Sequence, residues 1–522
     1  MKKKSLVLYG VLAAIAVSNT AVYWSLRSIW FFIDKEIGSI GGIDSFWSIF
    51  FFILLTALSV YSLVLLILRR SKRAHAVILI LFNLIFTIFN IYLCSMLGSE
   101  LDIVSRNLAT LVPGLILTAA VLYFIIIFPE TKLAESPGRR ALAAVLLLCL
   151  IFTFTSIPAG IRITSGPSVQ YIDDERFAVI WTTNRKSTGW IEYGPDEDRL
   201  SRKQSSENGL IQANTRTHKV ILPGKVNDDF IFRAGSRDIK QLFQNNVVYG
   251  KTVYSDFIEF ENSKYDDEVS FYVLSDIHER EELYEKYLSE GDYDFLVLNG
   301  DQLSSVDTEE IIINEMLTPL SASTEGFKPF YFVRGNHETR GALARELPDY
   351  LALPGGSYYY TFNYGPVFGL VLDGAEDKED SHEEYGGLAD FENYRKIQTR
   401  WLNEVSQSDG WKDARYKIVF NHIPLNMYQS LEDDYPLRQA EEEWVSILNS
   451  MDIDALVSGH THISEFIEAD GERLEFPIII GGGYTKASSG HKGIRVEAGN
   501  ASMKISFVAE DGQSTEVCTI ND

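Results

Sequence analysis

Residues 331–341 read YFVRGNHETRG. A short apolar strand runs through Arg334 into Gly335, and then Asn336, His337 and Glu338 crowd an amide, an imidazole and a carboxylate onto a glycine turn. One such turn is common. It decides the fold only if other strands end in the same way, and they do. VSFYVLSDIHER (269–280) ends on Asp276 and His278, and YDFLVLNGDQLS (293–304) ends on Gly300 and Asp301. YKIVFNHIP (416–424) ends on His422, and DALVSGHTH (454–462) ends on His460 and His462. Apolar strands alternate here with amphipathic segments, as in α/β units. In open α/β sheets the C-terminal edge of the strands is where sites form.

The residue types at these ends point to a metal centre. Asp, His and neutral Asn offer oxygen and nitrogen donors without a thiolate, which suits Mn, Fe, Zn or Co and not a Cys-type structural zinc. They are too many for one open tetrahedral ion. Two divalent or trivalent ions about 3.5–4 Å apart, bridged by a carboxylate, would use them all.

In sequence order these residues form D-x-H, G-D, G-N-H-E, N-H and G-H-x-H between about residues 268 and 490, and the pattern resembles the calcineurin-like metallophosphoesterase family. The resemblance implies an α/β four-layer fold, two facing mixed sheets flanked by helices, over residues 263–522. It implies that Asp276, His278 and His462 hold one ion, that Asn336, His422 and His460 hold the other, and that Asp301 bridges them. It also implies that His337 faces the substrate phosphate and protonates the leaving oxygen, with Glu338 supporting the ligands. Arg334 and Arg340 either pair with phosphate oxygens or are solvated. The implied chemistry is hydrolysis of phosphate mono- or diesters, with the ions activating a water and offsetting charge in an in-line displacement. The purple acid phosphatases within this group carry D-x-G first and a Tyr ligand after the second motif. Here His278 takes the histidine position and residues 304 and 305 are both serine, so an Fe(III)-tyrosinate centre is not expected.

Upstream, residues 161–262 are β-rich. Phe177, Val179 and Trp181 alternate inward, and turn signals stand at Gly194-Pro195 and Pro223-Gly224. The spacing resembles the fibronectin-type-III-like domain that precedes the catalytic domain in purple acid phosphatases, so a separate β-sandwich is expected here.

The N-terminal part differs in kind. Residues 1–160 hold 13 Lys/Arg and 7 Asp/Glu, which leaves 34 basic against 64 acidic residues, about −30, for the rest. Apolar segments at 5–24, 46–68, 75–97, 107–128 and 141–158 match the roughly 20 residues that cross a bilayer. A helical transmembrane module is therefore expected over residues 1–160, with the first segment either a retained helix or a cleaved signal. Basic clusters at Lys2–Lys4, Arg69–Arg73 and Lys132–Arg140 place the N-terminus in the cytoplasm and the catalytic domain outside the cell membrane. Cys518 stands alone outside the spans, so no internal disulfide is expected there.

The acidic balance disfavours nucleic acid as a partner. The expected partners are the lipid bilayer and a phosphorylated small molecule or lipid-linked phosphate. The acidic run EDKEDSHEEYGG (376–387) reads as a solvated loop beside the site, and Tyr484, Lys486 or His491 in the following glycine-rich loop are candidate substrate contacts. Two other classes remain: a metal-binding sensor or interaction protein without turnover, and a transporter whose spans do the main work. Few charged groups lie inside the spans, which argues against the transporter.

Overall fold

The computed structural model describes residues 160–521 apart from residues 174, 224–229, 244–245, 261–262, 265, 289–291 and 485–489. Ile161–Asp522 forms one compact unit. Its centre is a run of short strands rich in β-branched and aromatic residues. Val269–Leu274, Phe295–Asn299 and Phe330–Val333 pair in parallel. The antiparallel strands His491–Ala498, Ser502–Ala509 and Ser514–Asn521 extend this sheet on one side. A second sheet of six strands takes the order Tyr360–Tyr364, Val367–Val371, Tyr416–Phe420, Ala455–Ser458, Ile478–Ile480 and Glu465–Ile467.

The two sheets share one core. Tyr331 stacks on Phe362 with ring centroids 3.9 Å apart, and Phe295 stacks on Tyr364 at 4.1 Å. Alternate residues face outward and meet helices. Leu274, Leu296 and Leu298 pack with Leu283, Tyr284, Met316 and Leu320, while Leu370, Val419 and Leu456 pack with Leu402, Trp444 and Leu448. This gives the layers helix, sheet, sheet, helix. The parallel strands are buried on both faces, which is why they read as unbroken apolar runs.

The expected free-standing β-sandwich is corrected. Ile163–Tyr171 joins the catalytic sheet, pairing in parallel with Phe330–Val333 through Gln170 and Phe330. It then pairs with Arg176–Gly194, which in turn carries Thr215–Pro223 and Phe230–Phe243. Phe177, Val179 and Trp181 are buried as expected, but so are Ala178 and Ile180 between them. Polar ties reinforce the junction: Gln170 accepts from Ala352 N–H at 2.7 Å, Ser165 donates to Leu317 O at 2.9 Å, and Lys219 donates to Pro348 O and Leu351 O. Turn spacing marks where strands end; it carries no information on which strand lies beside them.

The expected membrane placement is also corrected. No helix among the described residues is long and apolar enough to cross a membrane. The five apolar segments between residues 5 and 158 lie outside the described residues, so the described structure gives no support to the helical module, the multi-pass localisation or the bilayer as a partner.

Candidate metal centre

Each candidate ligand sits just past the C-terminal end of a strand, on a sharp turn. Five of them take left-handed backbone conformations that side chains seldom adopt: φ is +58° at Asp276, +50° at His278, +50° at Asp301, +70° at His460 and +57° at His462. Such positions cost about 1–3 kcal/mol each and cluster where a site needs them. Gly300 shows why glycine precedes Asp301. Its φ is +84°, and a Cβ there would stand 2.3 Å from the His422 ring.

These turns converge. The donor atoms of Asp276, His278, Asp301 and His462 lie within 4.8 Å of one another, as do those of Asp301, His422 and His460. Asp301 belongs to both groups. Asn336 lies beside the second, its Oδ1 standing 3.0 Å from His460 Nδ1. Turned over, the same amide would donate to Asp301 Oδ2 and His460 Nδ1 and accept from Arg340 Nη2. A cation at this point would hold the oxygen inward.

Hydrogen bonds set the direction of two of the imidazoles. His422 Nδ1 donates to Asn299 O at 2.8 Å, which turns Nε2 toward Asp301 Oδ2 at 3.2 Å. His462 Nδ1 donates to Gly483 O at 3.1 Å and leaves Nε2 3.5 Å from Asp276 Oδ1. His278 Nε2 is buried and has no hydrogen-bond partner. An imidazole that donates one nitrogen to a carbonyl and turns the other into a carboxylate cluster is a metal-ligand arrangement. Burial pushes His278 and His460 down to about 4, so both rings are neutral donors at physiological pH. Burial also opposes charge on His422, but Asp301 beside it overrides this and raises it to about 10. Burial raises Asp276 to about 7, whereas Asp301 stays below the ordinary carboxylate range because His422 outweighs its own burial. By residue type the two groups, carboxylates and imidazoles without a thiolate, fit oxygen- and nitrogen-seeking cations, whose charge would displace the proton that His422 otherwise holds.

The surrounding shell ties the ligand turns together. Glu338 is fully buried and accepts from Asp301 N–H (2.9 Å), Gly335 N–H (2.8 Å) and Leu303 N–H (3.0 Å). Burial and the neighbouring Asp301 raise its affinity for a proton, and the Leu303 and Gly335 N–H donors and the charge on His422 oppose that shift. His337 donates its backbone N–H to Asp301 Oδ1 at 2.9 Å, and its Nε2 stands 4.0 Å from Asp301 Oδ2 at the edge of the site.

Residues 269–464 match the family model described as calcineurin-like phosphoesterase. The chain carries a calcineurin-like phosphoesterase domain. Serine/threonine-protein phosphatase CPPED1 of Pongo abelii is 27% identical over 145 residues, covering 27% of this chain and 43% of the relative. CPPED1 of Danio rerio is 26% identical over 173 residues, covering 32% of this chain and 53% of the relative. The chain thus spans about half the length of the curated relatives it matches. Among solved structures, zinc-bound Vps29 of Entamoeba histolytica is 12% identical and covers 48% of this chain and 98% of its own, with a TM-score of 0.25. The family-model match spans every strand end that carries a candidate ligand.

Within the phosphoesterase domain, several sequence-based candidates lie elsewhere than expected. Arg334 is neither solvated nor turned to a phosphate: its Nη2 pairs with buried Asp373 at 2.6 Å and its guanidinium lies over Tyr358 at 4.1 Å. Arg340 stays at the site edge, with Nη1 3.4 Å from His337 Nε2, but Glu376 holds its Nε at 2.9 Å and Nη2 at 3.0 Å. Tyr484 is exposed, bonds Glu510 and carries Arg280 over its ring at 4.0 Å. His491 is buried and joins Ser275 O to Tyr287. Lys486 lies outside the described residues. Sequence reading missed Glu376, which sits in a run that looked solvated yet is buried. The alternation of that run with Arg340 as a pairing partner leaves no sequence signal, because the two are 36 residues apart.

Proposed function

We propose that this chain hydrolyses phosphate mono- or diesters at a two-ion centre, with His337 as the general acid. The observation that carries this reading is that two ligand groups share one carboxylate, Asp301. Asp276, His278 and His462 would hold one ion, and Asn336, His422 and His460 the other, with Asp301 between them. Mn, Fe, Zn and Co all suit this donor set. When bound, such ions supply Lewis acidity to a water and to the phosphoryl oxygens.

The chain's own residues do the rest. Glu338 keeps the Asp301 and Gly335 turns in register by its three hydrogen bonds. Glu376 aims Arg340 at the side of the site where His337 lies. His337 turns Nε2 to the site edge, from which a proton can pass to the leaving oxygen as the P–O bond breaks. The name of the CPPED1 relatives makes phosphoserine and phosphothreonine esters the first physiological class to assay.

The test compares the parent with His337→Ala on p-nitrophenyl phosphate, bis-p-nitrophenyl phosphate and phosphopeptides, with metal analysis of both proteins. The expected result is close to two ions per chain in each, with kcat lower in the variant by about 10²–10⁴-fold. A metal-loaded parent that turns over none of these esters would overturn the proposal in favour of a metal-binding sensor.

A further inference from the structure

The helical run Glu309–Ser323 is not regular. Ile312–Leu317 forms a π-helical turn in which Thr318 N–H donates to Ile313 O. Pro319 explains it: proline has no N–H to offer the Glu315 carbonyl, so the ladder slips by one residue. The slip is spent on one side chain. Glu315 turns onto the loop that follows Asp301, where Oε2 accepts from Ser304 N–H at 2.8 Å and the carboxylate accepts from Ser304 Oγ–H at 2.9–3.0 Å.

Ser304 passes the constraint on. Its carbonyl lies 2.7 Å from His337 Nδ1. A carbonyl only accepts, so Nδ1 carries the proton. Arg340 Nη1, which only donates, stands 3.4 Å from Nε2. The ring is thereby held with Nδ1–H engaged and Nε2 facing the site. Nε2 is then the nitrogen that takes a second proton from solvent, and from that doubly protonated ring it can pass the proton to a leaving oxygen.

We infer that Glu315 is a positioning residue which, through Ser304, fixes the tautomer and aim of His337. The inference rests on the phosphoesterase reading above. In the step concerned, a water oxygen bonds to phosphorus, the ester P–O bond breaks, and the alcohol leaves with the Nε2 proton of a His337 ring already protonated from solvent, which returns to its Nδ1–H tautomer. A poor leaving group needs that proton far more than a good one, so a misaimed His337 shows itself in leaving-group dependence.

The experiment uses the full chain and compares Glu315→Ala and Glu315→Gln with the parent on 2,4-dinitrophenyl phosphate and phenyl phosphate. Glu315→Ala is expected to lose about tenfold or more in kcat on phenyl phosphate and less than about threefold on the dinitrophenyl ester. Glu315→Gln should restore both to within about threefold, because its amide oxygen can still accept from Ser304 N–H and Oγ–H. A second readout does not depend on turnover: ¹⁵N resonances of the His337 ring should report protonated Nδ1 in the parent and in Glu315→Gln, and a mixture in Glu315→Ala. Equal losses on both esters, no loss on either, or an unchanged ring signature in Glu315→Ala would each overturn the inference. Should Glu315→Ala fail to fold, Glu315→Asp, one methylene too short to reach Ser304, is read in the same two ways. A parent that turns over neither ester counts against the phosphoesterase reading, while the ring resonances still decide the role of Glu315.

Discussion

Glu338 lies beneath the site and touches no candidate donor atom except through backbone, so its substitution separates scaffold from chemistry. Its carboxylate takes three N–H groups at 2.8–3.0 Å, two on Oε2 and one on Oε1. Alanine would strand all three in a buried setting. Each stranded donor costs about 1–3 kcal/mol, so Glu338→Ala should lower unfolding free energy by about 3–6 kcal/mol once the loops relax. Glutamine is the more discriminating change. Its oxygen can replace Oε2 and keep Asp301 and Gly335, but its NH₂ then faces Leu303 N–H. One hydrogen bond is lost and two donors oppose each other, a cost of about 1–3 kcal/mol. Because Asp301 belongs to both ligand groups, a displaced Asp301 turn should also weaken metal binding about 10–100-fold, the range for lost supporting partners. Urea unfolding of metal-free protein reads the first effect, and calorimetric titration with Mn²⁺ or Zn²⁺ reads the second. A Glu338→Gln protein that matches the parent in both would refute the view that this carboxylate holds the two ligand turns together.

Two further outcomes follow from single contacts. Gly300→Ala puts a methyl group 2.3 Å from the His422 ring on backbone at φ +84°, so it should abolish binding of at least one ion per chain, read by metal analysis, and lower the urea midpoint. His218, buried against Trp181 and bonded to Ser187 and Thr183, is pushed down to about 3 by burial. The unfolded chain binds this proton near the ordinary histidine value and the folded chain does not. Its contribution is therefore complete above about pH 6.5 and is lost as pH falls, by about 2–3 kcal/mol between pH 6 and pH 4. Unfolding free energies of the parent and His218→Gln across that range should diverge by this amount, and parallel curves would contradict it.

Strand ends carried the site in the sequence. Asp276, Asp301, Asn336, His422 and His460 each follow an apolar run, and in a parallel sheet such runs have to end along one edge. Periodicity and composition also foretold the inward faces at Phe177, Val179 and Trp181, which are local properties of a pleated strand. What periodicity cannot carry is the identity of a neighbour. Ile163–Tyr171 looked like part of a separate sandwich, yet it borders Phe330–Val333, because backbone hydrogen bonding is the same whichever strand supplies it.

Side-chain direction was equally out of reach. Arg334 and Arg340 flank the same motif and read alike, but the first turns onto Asp373 and the second onto Glu376. Each choice depends on a carboxylate about 40 residues away whose position the whole core sets. Glu315 reaches Ser304 from the turn in which the helix slips by one residue before Pro319, and the two meet only once the helix is packed against the sheet. By itself the sequence determined which residue types meet at the strand ends, since alternation and turn chemistry act within a few residues. Tertiary structure alone decided which of them face a common point, because that is fixed by packing between segments far apart in the chain.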